Sequence, residues 1–248
     1  MELELTGRTA LITGAAGGIG RAVARALTVE GMRVALLDRD AEGLAATAAL
    51  CPGSIALTAD IADEAAVDAA VASAIEGLGA LHAVVHSAGI SGPVGSGIEG
   101  TSLAEWQAVF AVNVTGAFLV LRRALDALRA APGAAVVLVA SDSAFVASPG
   151  MAPYCASKAA LVQFGRALSV DLAGDDVRVT TVSPSIVDTA MSRGDLGDDA
   201  FAAPAFPVQT ADEVAAHVAY LVSPRARAVN GTGILSDFGY SARSGFPA

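Results

Sequence analysis

The sequence predicts an α/β protein built on an open, doubly wound parallel sheet of about seven strands, with helices on both faces. Three observations carry that expectation. Short β-branched apolar runs alternate with longer Ala-rich segments along the 248 residues, the pattern of strands joined by crossover helices. The runs are apolar at successive positions, as strands must be when helices cover both faces. No internal repeat recurs at a period of roughly 20–50 residues, which sets aside solenoids and propellers. No linker divides the chain, so residues 1–248 are expected to form one domain.

Thr9–Thr13 reads as the first strand and runs directly into the glycine turn Thr13-Gly14-Ala15-Ala16-Gly17-Gly18-Ile19-Gly20. A helix follows, with Val23, Ala24 and Leu27 on one face. Arg33–Leu37 is the second strand and ends at Asp38. Ser54–Leu57 is the third, followed by Asp60 and by a helix that Asp63 caps and that runs to about Gly77. Ala83–Val85 is the fourth strand. Ile90–Gly100, rich in Gly and Ser, is a loop. Ser102-Leu103-Ala104-Glu105 is a capping box that opens a helix from about Ser102 to Ala130. Ala135–Val139 is the fifth strand and leads to Ser141; a helix from Met151 to Ala173 comes next. Val177–Val182 is the sixth strand. Asp188–Gln209 reads as irregular, with Gly194, Gly197, Pro204 and Pro207. The capping box Thr210-Ala211-Asp212-Glu213 opens a last helix.

Composition narrows the function. The chain is 54% apolar and 16% charged, with 15 Lys and Arg against 25 Asp and Glu, a net charge of −10. That apolar fraction excludes a disordered chain, and the acidity makes a poor binder of nucleic-acid backbones. The purest apolar run, Ala134–Ala140, falls well short of the roughly 20 residues of a membrane span. The acidic start Glu2-Leu3-Glu4 is unlike the basic start of a secretory signal. A cytoplasmic protein without nucleic-acid or membrane partners is expected. Cys51 and Cys155 are too few for a disulfide framework, and His82, His86 and His217 lack ligand spacing, so no metal is expected.

The glycine turn lets phosphates reach the N–H groups of a helix N-terminus with no side chain in the way. Asp38 lies 24 residues after Gly14, near the position at which an acid meets an adenosine ribose. A carboxylate there accepts from the ribose hydroxyls and repels a 2′-phosphate, which favours NAD over NADP. Arg39 argues the other way. This much also fits a methyltransferase. A P-loop is excluded because no Lys-Ser or Lys-Thr follows the glycines.

Downstream, Ser141 is followed 13 residues later by Tyr154 and four later again by Lys158. Residues four apart share a helix face, so Tyr154 and Lys158 point into one cleft, and Ser141 stands at a strand end where such folds place ligands. A tyrosine titrates near 10, too high for a base at neutral pH; a nearby ammonium is expected to lower it. Tyr154 then gives a proton to a carbonyl oxygen or takes one from an alcohol, while Ser141 holds the same oxygen.

With these motifs the sequence resembles the short-chain dehydrogenase/reductase family, from about Arg8 to Gly239. The resemblance implies a Rossmann-like fold and a tetrad of Asn113, Ser141, Tyr154 and Lys158. In that tetrad Asn113 holds a water beside Lys158, and Lys158 also reaches the nicotinamide ribose. The resemblance further implies cofactor contacts at Gly14, Gly17, Gly18, Ile19, Gly20, Asp38, Asp60, Ile61, Ala88, Gly89, Val187 and Thr189. Three positions depart from the family pattern. His86-Ser87-Ala88-Gly89 replaces Asn-Asn-Ala-Gly, Pro184-Ser185 replaces Pro-Gly, and Asp237-Phe238-Gly239 replaces Asp-Gly-Gly.

The expected reaction is hydride transfer between a nicotinamide cofactor, NAD before NADP, and a small-molecule secondary alcohol or ketone. Arg193 is the only base from 187 to 209, amid Asp188, Asp195, Asp198 and Asp199, so a neutral substrate, a polyol or a cyclic alcohol, is expected rather than a carboxylate. The rival readings are a non-catalytic NAD(H)-binding regulator and an epimerase or dehydratase of the same fold. The Ala-rich helices 102–130 and 151–173 suit close pairing between subunits, and a homotetramer is expected.

Overall fold

The computed structural model describes residues 2–243. Seven strands form one all-parallel sheet: β1 (Thr9–Thr13), β2 (Arg33–Asp38), β3 (Ile55–Thr58), β4 (Ala83–His86), β5 (Ala134–Val139), β6 (Val177–Pro184) and β7 (Gly233–Ser236). Their order is β3-β2-β1-β4-β5-β6-β7. The chain winds outward from β1 to β3, returns to β4 beside β1, and then winds the other way. The crevice at that reversal, beyond the strand ends, is where such sheets bind ligands.

Side-chain alternation along the central strands feeds two cores. Ala10, Ile12, Val34, Leu36, Val85 and Val137 face one way, against α1 (Gly18–Val29), α2 (Ala41–Leu50) and the last long helix of the chain. Leu11, Ala35, Leu37, Val84, Val136 and Leu138 face the other, against α3 (Glu64–Leu78) and the helices between β4 and β6. Each fully buried Val or Leu contributes about 1.5–3 kcal/mol by leaving water, so a strand apolar at every position is driven into the middle of the sheet. The edge strands differ. β3 and β7 alternate between half-buried and exposed positions, so the expectation of two covered faces holds for the centre and fails for β3, while β7 was not among the expected runs.

The long segment after β4 is not one regular helix. It consists of α4 (Leu103–Phe110), a π-helical turn at Ala111–Thr115, and α5 (Gly116–Ala130). The helical stretch Leu103–Ala130 is long and apolar enough to cross a membrane by length and composition alone, yet Leu119, Val120, Leu121, Ala124 and Leu128 are buried in the second core. Then come α6 (Ala152–Asp171), α7 (Ala190–Leu196), α8 (Asp199–Ala202) and α9 (Ala211–Val222). Helices α7 and α8 lie in the stretch expected to be irregular. The start of α7 is a capping box with Ser192 in the place usually held by Glu or Gln: Thr189 Oγ1 accepts from Ser192 N, and Ser192 Oγ accepts from Thr189 N at 3.1 Å. The boxes at Ser102 and Thr210 and the Asp63 cap stand as expected.

Candidate active site

The turn after β1 is fixed by backbone contact. Gly14 has φ +67°, and a Cβ there would lie 2.7 Å from the Ala88 amide nitrogen, so only glycine lets the ends of β1 and β4 meet. Gly20 packs its bare α-carbon on the Gly14 carbonyl. Gly17 is different: nothing lies within 4 Å of where its Cβ would be. Arg21 and Thr47 bind the turn to α2. Arg21 Nε donates to Thr47 Oγ1 at 2.9 Å, and Thr47 Oγ1 donates to the Ala15 carbonyl at 2.8 Å.

A cavity of about 300 Å³ opens at the sheet's reversal point. It runs from Gly14, Gly17, Gly18 and Ile19, past Asp38, Arg39, Asp60 and Ile61, to Ala88, Gly89 and Thr189. The space above Gly17, at the N-terminus of α1, fits a phosphate group. Asp38 is held at the rim, accepting from Ala16 N at 3.0 Å and from Asp40 N at 3.1 Å. Of the residues expected at the cofactor, Gly20, Val187, Tyr154 and Lys158 do not line this cavity. Gly20 supports it from beneath, and Val187 is buried where it bridges to Gln209. Leu37, Ala59, Ser87, Ile90, Val112 and Ala190 line it without having been expected. They are neighbours of the motif residues, and nothing in their own type marks them.

The π turn carries Asn113, which is fully buried. Its Nδ2 donates to the Ile90 carbonyl and to Ser157 Oγ, each at 2.9 Å, and its Oδ1 accepts from Ile90 N at 2.8 Å. Lys158, 5% exposed, donates from Nζ to the Val139 carbonyl at 3.0 Å. The two side chains meet behind Gly89: a Cβ there would be 3.3 Å from Asn113 Oδ1 and 3.4 Å from Lys158 Nζ. Burial lowers Lys158 to about 8.

Tyr154, one turn before Lys158, is half-buried. The Lys158 ammonium lies 5.6 Å from the centre of its ring. The expected lowering of the phenol is not found; Tyr154 is pushed up to about 12. Burial is the main cause, the Ser141 hydroxyl works the other way, and the negative charges of Asp142 and Asp195 add to the rise. The ammonium is turned to the Val139 carbonyl. Ser141 sits at the end of β5, where its Oγ accepts from Ser143 N at 3.1 Å and donates to Asp142 Oδ1 at 3.0 Å. Burial raises Asp142, with Asp237 adding a like charge.

The three departures from the family pattern resolve locally. His86 is fully buried and its Nδ1 lies 3.2 Å from Thr13 Oγ1. That hydroxyl accepts from Ser87 N and Ala88 N, so its own proton goes to Nδ1. His86 is therefore the Nε2–H tautomer, and Nε2 has no partner among the described residues. Burial and then Lys158 lower His86 to about 3. Ser185 does not reach the cavity; its Oγ accepts from Gln209 Nε2 at 3.1 Å. Phe238 stands in the left-handed region at φ +55° and is 53% exposed, a backbone that favours glycine.

On the substrate side, Ser91 Oγ donates to Asp195 Oδ1 at 2.9 Å, joining the loop after β4 to α7. Arg193 is spent on Asp188 and Asp198 and lies over the Phe201 ring.

Residues 14–241 match a family profile described as "Enoyl-(Acyl carrier protein) reductase". A D-threitol dehydrogenase of Mycolicibacterium smegmatis is 34% identical over 258 residues, covering 98% of this chain and 96% of that protein. A meso-2,3-butanediol dehydrogenase of Serratia marcescens is 34% identical over 255 residues, 99% of each chain. A crystal structure of 3-ketoacyl-(acyl-carrier-protein) reductase from Brucella melitensis complexed with NADH superimposes with a TM-score of 0.89 at 30% identity, covering 96% of this chain and all of that one. The glycine turn at the sheet's reversal point, the Ser141, Tyr154 and Lys158 arrangement and this full-length similarity agree: the chain belongs to the short-chain dehydrogenase/reductase family and is an NAD(P)-dependent alcohol dehydrogenase of it.

Proposed function

We propose that the protein interconverts a neutral secondary alcohol, a polyol or cyclic alcohol, and its ketone, with NAD as the preferred partner. The convergence of Asn113 and Lys158 on Gly89, at the inner end of the cavity, carries this reading. A bound nicotinamide supplies the hydride chemistry. Gly14, Gly17, Gly18 and Ile19 would take its phosphates, Asp38 a ribose, Asp60 and Ile61 the adenine, and Ala88, Gly89 and Thr189 the remainder, with Val187 backing the wall beside Thr189. Tyr154 moves the proton at the substrate oxygen, and Ser141 holds that oxygen. Lys158 places a cation near the phenol and reaches the nicotinamide ribose. Asn113 orders Ile90 and Ser157 around them and holds the relay water. A bound oxidised nicotinamide would add positive charge near the phenol, which favours its deprotonated form.

Asp38 at the cavity rim supports NAD. Commitment of Arg193 to two aspartates supports an uncharged substrate, and the threitol and butanediol dehydrogenases are named for such substrates. Exposed Leu103, Phe118 and Val170 on α4, α5 and α6 support pairing of these helices in a homotetramer.

The test is a panel of secondary alcohols with NAD at alkaline pH, followed by the rise of reduced-cofactor fluorescence. Tyr154→Phe lowers turnover by about 10²–10⁴-fold, the usual weight of a proton-transferring group, and still binds cofactor. Turnover that survives this change overturns the mechanism. Light scattering at the mass of four chains checks the assembly.

A further inference from the structure

A second cavity, of about 210 Å³, lies between α6, β6 and β7. It shares no lining residue with the cofactor cavity, and none of Asn113, Ser141, Tyr154 and Lys158 lines it. Phe145, Val162, Ile234 and Leu235 give it apolar walls. Two polar groups in it are unanswered. Ser183 is 2% exposed, and its hydroxyl has no hydrogen-bond partner among the described residues. A buried hydroxyl in that state is costly. Arg166, exposed on α6, lines the cavity too, and no carboxylate among the described residues lies within ion-pair distance of it. No Asp or Glu lines the cavity, in a chain of net charge −10. The two groups stand apart. A Cβ on Gly165 would touch Thr181 and Val179, so Arg166 stands beside the middle of β6, while Ser183 lies near its C-terminal end. Two to four residues of strand make that separation about 7–13 Å.

We propose that this cavity binds a small aromatic monocarboxylate with a hydroxyl at the opposite end, its carboxylate on Arg166 and its hydroxyl on Ser183. Volume sets the size. A cavity of about 150 Å³ admits benzene, so this one takes a single ring and its substituents. The guanidinium fork matches a carboxylate with two parallel N–H···O bonds. The ring lies between Phe145 and the aliphatic side chains of Val162 and Ile234, where its faces are covered. A hydroxyl both donates and accepts, so it answers Ser183 whichever way the serine turns. The neighbours of this ligand belong to working elements: Phe145 is four residues past Ser141, and α6 carries Tyr154 and Lys158. The site is additional to the cleft in which the alcohol reacts.

The experiment titrates 4-hydroxybenzoate, benzoate and phenol by calorimetry into the protein saturated with NADH, so that the cofactor cavity is filled. 4-Hydroxybenzoate should bind about fivefold more tightly than benzoate, the weight of one hydrogen bond, and about tenfold more tightly than phenol, the weight of one to a charged group. Ser183→Ala should bring 4-hydroxybenzoate down to the affinity of benzoate and leave benzoate unchanged. Arg166→Gln should weaken both carboxylates about tenfold and spare phenol. Neither residue lines the cofactor cavity, so NADH fluorescence reports that each variant is folded. If Ser183→Ala is not, the three probes on Arg166→Gln decide alone, since that side chain is exposed. Absence of binding at millimolar 4-hydroxybenzoate overturns the proposal. So does equal affinity of native protein and Arg166→Gln for the two carboxylates, the result expected if they sit in the substrate cleft instead.

Discussion

The Thr13 hydroxyl and His86 Nδ1 face each other at 3.2 Å inside the protein, and that contact fixes the histidine as neutral. With His86 lowered to about 3 from 6.5, the unfolded chain binds the proton more readily than the native protein. Its contribution to stability is therefore whole above pH 6.5 and lost as pH falls from there toward 3. At pH 5 the loss is about 2 kcal/mol. Urea unfolding at pH 7 and pH 5 checks it: His86→Asn, which does not titrate, should lose less stability than the native protein over this interval.

Asp195 raises the Tyr154 phenol through its charge. Asp195→Asn keeps the shape and the capacity to accept from Ser91 while removing that charge. Tyr154 should then give up its proton more easily. The rising limb of kcat/KM against pH for alcohol oxidation should move to lower pH. A profile that stays in place, or moves up, contradicts the assignment of Tyr154 as the proton-transferring group.

Gly17 and Gly14 should separate binding from folding. Gly17 has extended backbone and open space at its Cβ position, so Gly17→Ala should leave the melting temperature within a few degrees. Its methyl enters the cavity and should weaken NADH binding at least about tenfold, or 1.4 kcal/mol. Gly14→Ala meets the Ala88 backbone at positive φ and should destabilise the fold itself. Thermal melts beside fluorescence titrations distinguish the two.

Phe238→Gly should stabilise the protein. The left-handed backbone costs an L side chain about 1–2 kcal/mol, and Phe238 is 53% exposed, so little burial is lost with the ring. Allowing for the greater freedom of glycine in the unfolded chain, a gain of about 1 kcal/mol in urea unfolding is expected.

The central sheet was legible because six strands are short apolar runs, and Ser102, Asp63 and Thr210 announce their helices. Asp38 and the glycine turn could be assigned because their chemistry depends on local spacing. The Tyr154 environment could not: its phenol responds to Asp142 and Asp195, brought in from the turn after β5 and from α7 by the fold. Helix α7 was hidden by Gly194 and by a cap that uses Ser192. The exposure of β3 depends on its place at the sheet edge, which its own residues do not record.

The π turn at Ala111–Thr115 has a genetic reading. A single residue added to a regular helix produces such a bulge, and each residue turns the chain by about 100°. Deleting Ala111 should anneal α4 and α5 into one uninterrupted helix. Asn113 would then be swung away from Ile90 and Ser157. The gene could thus mend its longest helix in one step of three bases, and the organism that did so would trade the buried amide for regularity.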